Sequence, residues 1–195
     1  MARVLFGILF GLAVLPIAVI IWLYNGKVPV AVTDPPFPYE EQLTHVPLSQ
    51  RIDKELIQMP PVMPNEETFV AGAKVYSQHC AVCHGFHGKP SPIGQNMYPD
   101  APQLWEKHRG SSVVGVSDDQ PGETYWKVAN GIRLTGMPEF RTQLSNDEMW
   151  QVSLLLANAD KPLPPGALTI LKTGTLPDST ATDTDKSGAP TPNTQ

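Results

Sequence analysis

The chain has 195 residues, 41% of them hydrophobic, with 21 prolines and a formal net charge of -5. That length suggests one domain plus extensions. The acidic balance excludes a nucleic-acid partner, which needs a basic footprint, and two cysteines three apart exclude a disulfide framework.

In chain order, residues 4–24 carry no charge and are long enough to span a bilayer as a helix. Arg3 precedes them, so the amino terminus should remain cytoplasmic and the rest be exported. Trp22 and Tyr24 fall at the far end, where aromatic rings favour the interface. A cleaved signal peptide is the rival, but its apolar run is shorter and ends at a small-x-small site, which Tyr24-Asn25-Gly26-Lys27 does not offer. The reading is a single-pass anchor over 1–25 in the cytoplasmic membrane, with the remainder of the chain on the periplasmic or other extracytoplasmic side. Residues 26–64 read as a proline-rich tether, with one short helix possible over 49–58.

A helix should open at Asn65, a good N-cap, with Glu66 and Glu67 at its positive end. Phe69, Gly72, Ala73 and Tyr76 recur at helical spacing up to Cys80. Residues 85–121 are rich in glycine and proline without a periodic run, a length of irregular chain that suggests function. A short helix is expected over 122–130. Ser145 to Glu148 has the capping-box pattern and opens a helix carrying Met149, Trp150, Val152 and Leu154 to Leu156. The compact domain is set at 65–160 and a disordered, Thr/Asp/Ser/Pro-rich tail at 161–195.

Cys80-Ala81-Val82-Cys83-His84 carries the chemistry, because Cys-x-x-Cys-His is the attachment signature of c-type haem. Each thiol can add to one vinyl group, and the next residue brings an imidazole to the iron. A bound haem would also replace the core that the irregular middle does not make. Three rivals use the same residues. A thioredoxin-like pair expects a βαβ setting. A zinc site needs four ligands, with His87 or His108 completing the set. A Cys80–Cys83 disulfide is the third. The favoured second iron ligand is Met137, in Gly136-Met137-Pro138 and 53 residues after His84. Gly136 permits close approach and Pro138 stiffens the loop. His108 is the bis-histidine alternative. Met97, Met59 and Met63 lack that setting, and Met149 should pack in the core. His45, His79 and His87 should face solvent.

With these residues in place, the stretch 65–159 resembles the monohaem class I cytochromes c, in their membrane-anchored bacterial form. Gly72 and Tyr76 match what that family's first helix presents to its last, and Trp150 and Leu154 match the reply. Gly85 and Gly88 resemble the loop after the haem histidine, and Pro102-Gln103-Leu104 resembles the proximal Pro-x-Leu element. The resemblance implies an all-α cytochrome c fold of three to five helices around one covalent haem c, with His84 and Met137 as axial ligands and Cys80, Cys83, Pro102, Leu104 and Trp105 in contact with the group. A proline carbonyl should accept the proton of His84, with Pro92, Pro99 and Pro102 all candidates. Trp105, Trp126 and Arg133 are candidate neighbours of the propionates.

The function expected is one-electron transfer, not enzymatic catalysis. Donors would be a quinol-oxidising complex or a dehydrogenase, and acceptors a terminal oxidase or another cytochrome. The docking surface would surround an exposed haem edge near Phe86 or Met137. The alternatives are a subunit fixed in a larger respiratory complex and a haem enzyme or sensor with an open sixth position.

Overall fold

The computed structural model describes residues 2–108 and 110–174. It is all-helical, with no strand among the described residues. The chain divides into two units, Met1–Thr44 and His45–Gln195.

In the first unit, α1 (Ala2–Asn25) contains Pro16 and is long and apolar enough, by length and composition, to cross a membrane. The short stretch after it is pinned locally. Asp34 accepts hydrogen bonds from the Val30 and Ala31 N–H groups, both at 2.8 Å, and these lower its carboxyl pKa. The Trp22 and Phe37 rings pack 5.9 Å apart.

Helix α2 (Glu40–Glu55) begins in the first unit and ends in the second. It is longer than the short helix expected inside a tether, and it includes Pro47. Its last turns are not spacer. Ile52 is buried, and the Trp126 indole donates to Glu55 at 2.8 Å.

The core of the second unit is made by α3 (Glu66–Val75), α5 (Pro121–Asn130), α6 (Asn146–Leu156) and α7 (Pro165–Thr173). Helix α3 starts as its sequence predicts, with Asn65 Oδ1 accepting from the Thr68 N–H at 2.9 Å. It crosses α6 closely because Gly72 has no side chain. A Cβ there would collide with the Gln151 carbonyl of α6. Helix α6 opens on the expected capping box, in which the Ser145 N–H donates to Glu148 at 2.8 Å and the Glu148 N–H returns to Ser145 at 3.3 Å. Trp150 lies flat on Tyr125 of α5, with ring centroids 4.2 Å apart.

The expected boundary at residue 160 is corrected. Residues 165–173 are a helix whose Ala167, Ile170 and Leu171 are fully buried and which packs on α3. The prolines that suggested a break instead start the helix. Pro165 occupies its first turn, where a missing N–H costs nothing, and Gly174 ends it at φ 68°. The remainder of the tail, 175–195, lies outside the described residues.

Candidate haem-attachment site

Helix α3 runs into a π turn, Tyr76–Cys80, and then into α4, Ala81–His84. Wide turns of this kind cluster at functional sites. Tyr76 anchors the junction from inside the core. Its ring stands edge-on to Trp105 at 5.2 Å, and its hydroxyl donates to the Gly85 carbonyl at 2.7 Å. Burial pushes the phenol pKa far up, so that donor is permanent. Gly85 turns the chain at φ 71°, where a Cβ would press on the Lys89 carbonyl and the Gln103 side chain.

Cys80 and Cys83 are partly buried and not joined as a disulfide. Burial first, and the neighbouring Cys83 second, push the Cys80 thiol up to about 12. Among the described residues no three His, Cys, Asp or Glu side chains converge on a metal position. The zinc reading finds no such cluster, and the helical surroundings lack the βαβ setting of a redox pair.

His84 Nδ1 lies 2.8 Å from the Pro102 carbonyl oxygen. A carbonyl only accepts, so Nδ1 carries the proton and Nε2 keeps its lone pair. Burial, opposed by the Pro102 bond, lowers the imidazole pKa and favours this neutral form. Of the three candidate prolines, the structure brings Pro102 to the ring.

Met137 sits on a loop closed upon itself. The Ile132 N–H donates to the Met137 carbonyl at 3.2 Å, the Thr135 hydroxyl donates to the Ile132 carbonyl at 2.7 Å, and the Met137 N–H donates to Thr135 Oγ1 at 3.1 Å. Gly131, at φ 65°, lets the two ends of the loop meet, since a Cβ would press on the Met137 carbonyl and the Glu139 N–H. Cys80 and Met137 both pack against the core cluster that contains Leu104, Trp105, Ala81 and Val128. Leu104 and Trp105 are members of this core and Cys80 and Met137 border it, so all four face the interior of the domain. Cys83 and Pro102 lie beside it on the chain.

Other expectations come out differently. Trp126 is committed to Glu55. His108 is engaged in its own loop, with Nε2 2.5 Å from the Gly115 carbonyl oxygen. Phe86, near which an exposed haem edge is expected, is itself not exposed. It is half-buried, lies against Gly174 and meets Tyr76 at 6.5 Å. His79 is half-buried against Phe140 instead of facing solvent, Arg133 is exposed, and Met149 is in the core as expected. Sequence reasoning missed Ser91, whose hydroxyl donates to the Val82 carbonyl at 2.5 Å and accepts from the Gly94 N–H at 3.1 Å. No local pattern marks it, because its partners are main-chain atoms brought near by the fold. A separate open cleft of about 650 Å³, lined by Arg51, Glu55, Tyr125 and Arg141 among others, includes none of the attachment residues.

The donor set fits a covalent haem. Two thiols, an imidazole with free Nε2 and a thioether on a pre-formed loop are the groups that a haem c requires. Gln103 Nε2 is a buried donor without a partner among the described residues, which costs about 1–3 kcal/mol unless an acceptor such as a propionate meets it. The Trp105 indole N–H is likewise buried without a hydrogen-bond acceptor among the described residues.

A family match agrees with this chemistry. Residues 67–154 match the family described as cytochrome c oxidase, cbb3-type, subunit III. Among solved structures, a chain of the reducing HAO-like protein complex of Kuenenia stuttgartiensis is similar at 26% identity. The similarity covers 51% of this chain and 46% of that one, with a TM-score of 0.40. The chain thus spans about half the length of that relative. No curated protein matches.

Proposed function

We propose, from the premise that residues 67–154 are a cytochrome c domain, that this chain carries one covalent haem c ligated by His84 and Met137 and relays single electrons on the extracytoplasmic side of a membrane. The domain itself implies haem-based electron transfer. Bound haem would supply a one-electron ferric/ferrous couple. The observation that carries the finer reading is the His84–Pro102 bond together with the closed Met137 loop. One fixes the imidazole tautomer and raises its basicity. The other holds a thioether ready, so little has to move when the charge on the iron changes. With both positions filled by protein there is no open site for substrate, and the chain acts as a carrier without catalysis.

Residues 1–25 serve as anchor in this reading. Val82 lies in the attachment segment, Ile93 in the segment braced against it and Leu134 on the Met137 loop, and these apolar residues are exposed at 57%, 59% and 77%. They would form the docking face, in place of the half-buried Phe86. Small transient contacts of this kind suit a redox encounter with a quinol-oxidising complex or dehydrogenase on one side and a terminal oxidase or another cytochrome on the other. A place as a fixed subunit of a respiratory complex is the second reading, favoured by the family matched over residues 67–154.

Intact mass of the exported protein tests attachment. The expected result is a gain of one haem that survives acid-acetone extraction, and an unmodified mass would end the proposal. Met137→Ala should abolish the near-infrared thioether-to-iron band of the ferric protein and lower its reduction potential. A high-spin wild-type spectrum would instead favour an enzyme or sensor.

A further inference from the structure

Residues 91–102 form one braced segment beside the attachment helix. Gly94 sits so close to the Cys83 carbonyl that a Cβ would collide with it. The Asn96 amide donates to the Pro92 carbonyl at 2.8 Å, and the Ala101 N–H donates to the Gly94 carbonyl at 3.0 Å. The end of this segment supplies the Pro102 carbonyl to His84. From its middle, the Met97 side chain reaches across to the other loop. The Met97 methyl occupies the space that a Cβ on Gly136 would need. Gly136 immediately precedes Met137.

The bonds that close the Met137 loop lie within the loop. Its tip is exposed, with Leu134 at 77% and a positive φ of 65°. Met97 adds a contact from outside, delivered by a braced segment. A loop that spends time open lowers the effective affinity of its ligand by the fraction of time it is closed. A methyl pressed onto Gly136 raises that fraction.

We propose that Met97 is a positioning residue that latches the Met137 loop, so that one segment governs both His84, through Pro102, and Met137, through Gly136. This rests on the axial ligation proposed above. A thioether suits the task because it is flexible enough to follow the loop and apolar enough to stay against the glycine.

The test uses the full-length ferric protein and imidazole as a competitor for the Met137 position. Met97→Ala should raise imidazole affinity by on the order of tenfold, a tenfold larger open fraction. Met97→Leu, which keeps the bulk, should stay within about twofold of wild type. Gly136→Ala needs the space of the Met97 methyl and should reproduce Met97→Ala. The double variant should be no worse than either single, the non-additivity of residues acting through one contact. A Met97→Ala protein with wild-type imidazole affinity overturns the latch, as does full additivity of the two changes. If the wild type lacks the thioether-to-iron band, ligation by Met137 fails instead, before any variant is made.

Discussion

Glu148 shows how much one side chain at a helix start can do. The Ser145 N–H first, and the Ser145 hydroxyl second, hold its carboxyl below the ordinary value of 4.5. A lowered folded pKa gives stability that is complete above the ordinary value and lost as pH falls through the folded one. Glu148→Gln should therefore melt below wild type near neutrality, with the gap closing as pH drops below about 4.5. Parallel thermal melts across that window check it, and a gap independent of pH would remove the ionic contribution. At this scale the candidate attachment residues stand out because covalent haem attachment would dictate the spacing of Cys80, Cys83 and His84. Pro102 was not separable from Pro92 and Pro99, since which carbonyl meets the imidazole depends on the path of a loop without periodic pattern. The Met97–Gly136 contact was invisible for the same reason.

Between single residues and the whole chain, helices α3, α5 and α6 announce themselves by caps and apolar spacing, and the structure has them where those signals fall. Helices α2 and α7 were obscured by proline. Pro47 lies inside α2, and Pro162, Pro164 and Pro165 crowd the start of α7, where composition reads as a break. What decides both is burial against helices distant in sequence. Ile170 is fully buried in the shared core. Ile170→Ala should cost about 2–5 kcal/mol by transfer and cavity terms, read as a lower denaturation midpoint. Thr169→Ala, on the exposed side of the same helix, should stay within about 0.5 kcal/mol. Equal effects at both positions would mean that α7 adds no packing.

On the scale of the entire protein, a modest helical core supports a long stretch of irregular chain. Among the described residues of 85–121, regular structure amounts to the short turn Gly94–Asn96 and two isolated bridges before α5 begins, and loops of that length persist where function pins them. The membrane assignment belongs here too. Full-length protein should stay with vesicles after an alkaline carbonate wash, whereas a chain starting after residue 25 should appear in the soluble fraction once exported. Release of the full-length chain by the wash would leave α1 without a membrane role.

The acceptor for His84 is a main-chain oxygen, and that insulates it from substitution. Changing the side chain at position 102 leaves the carbonyl in place, so Pro102→Ala should barely move the midpoint potential. Tuning has to come from braces further back. Removing the Ser91 hydroxyl, bonded to Val82 and Gly94, or the Asn96 amide, bonded to Pro92, would let the carbonyl drift and weaken the push on the imidazole. Redox titration of Ser91→Ala and Asn96→Ala beside Pro102→Ala should show the larger displacement, toward higher potential, in the first two. Inherited adjustment of this centre would then accumulate at positions that never touch the ring they adjust.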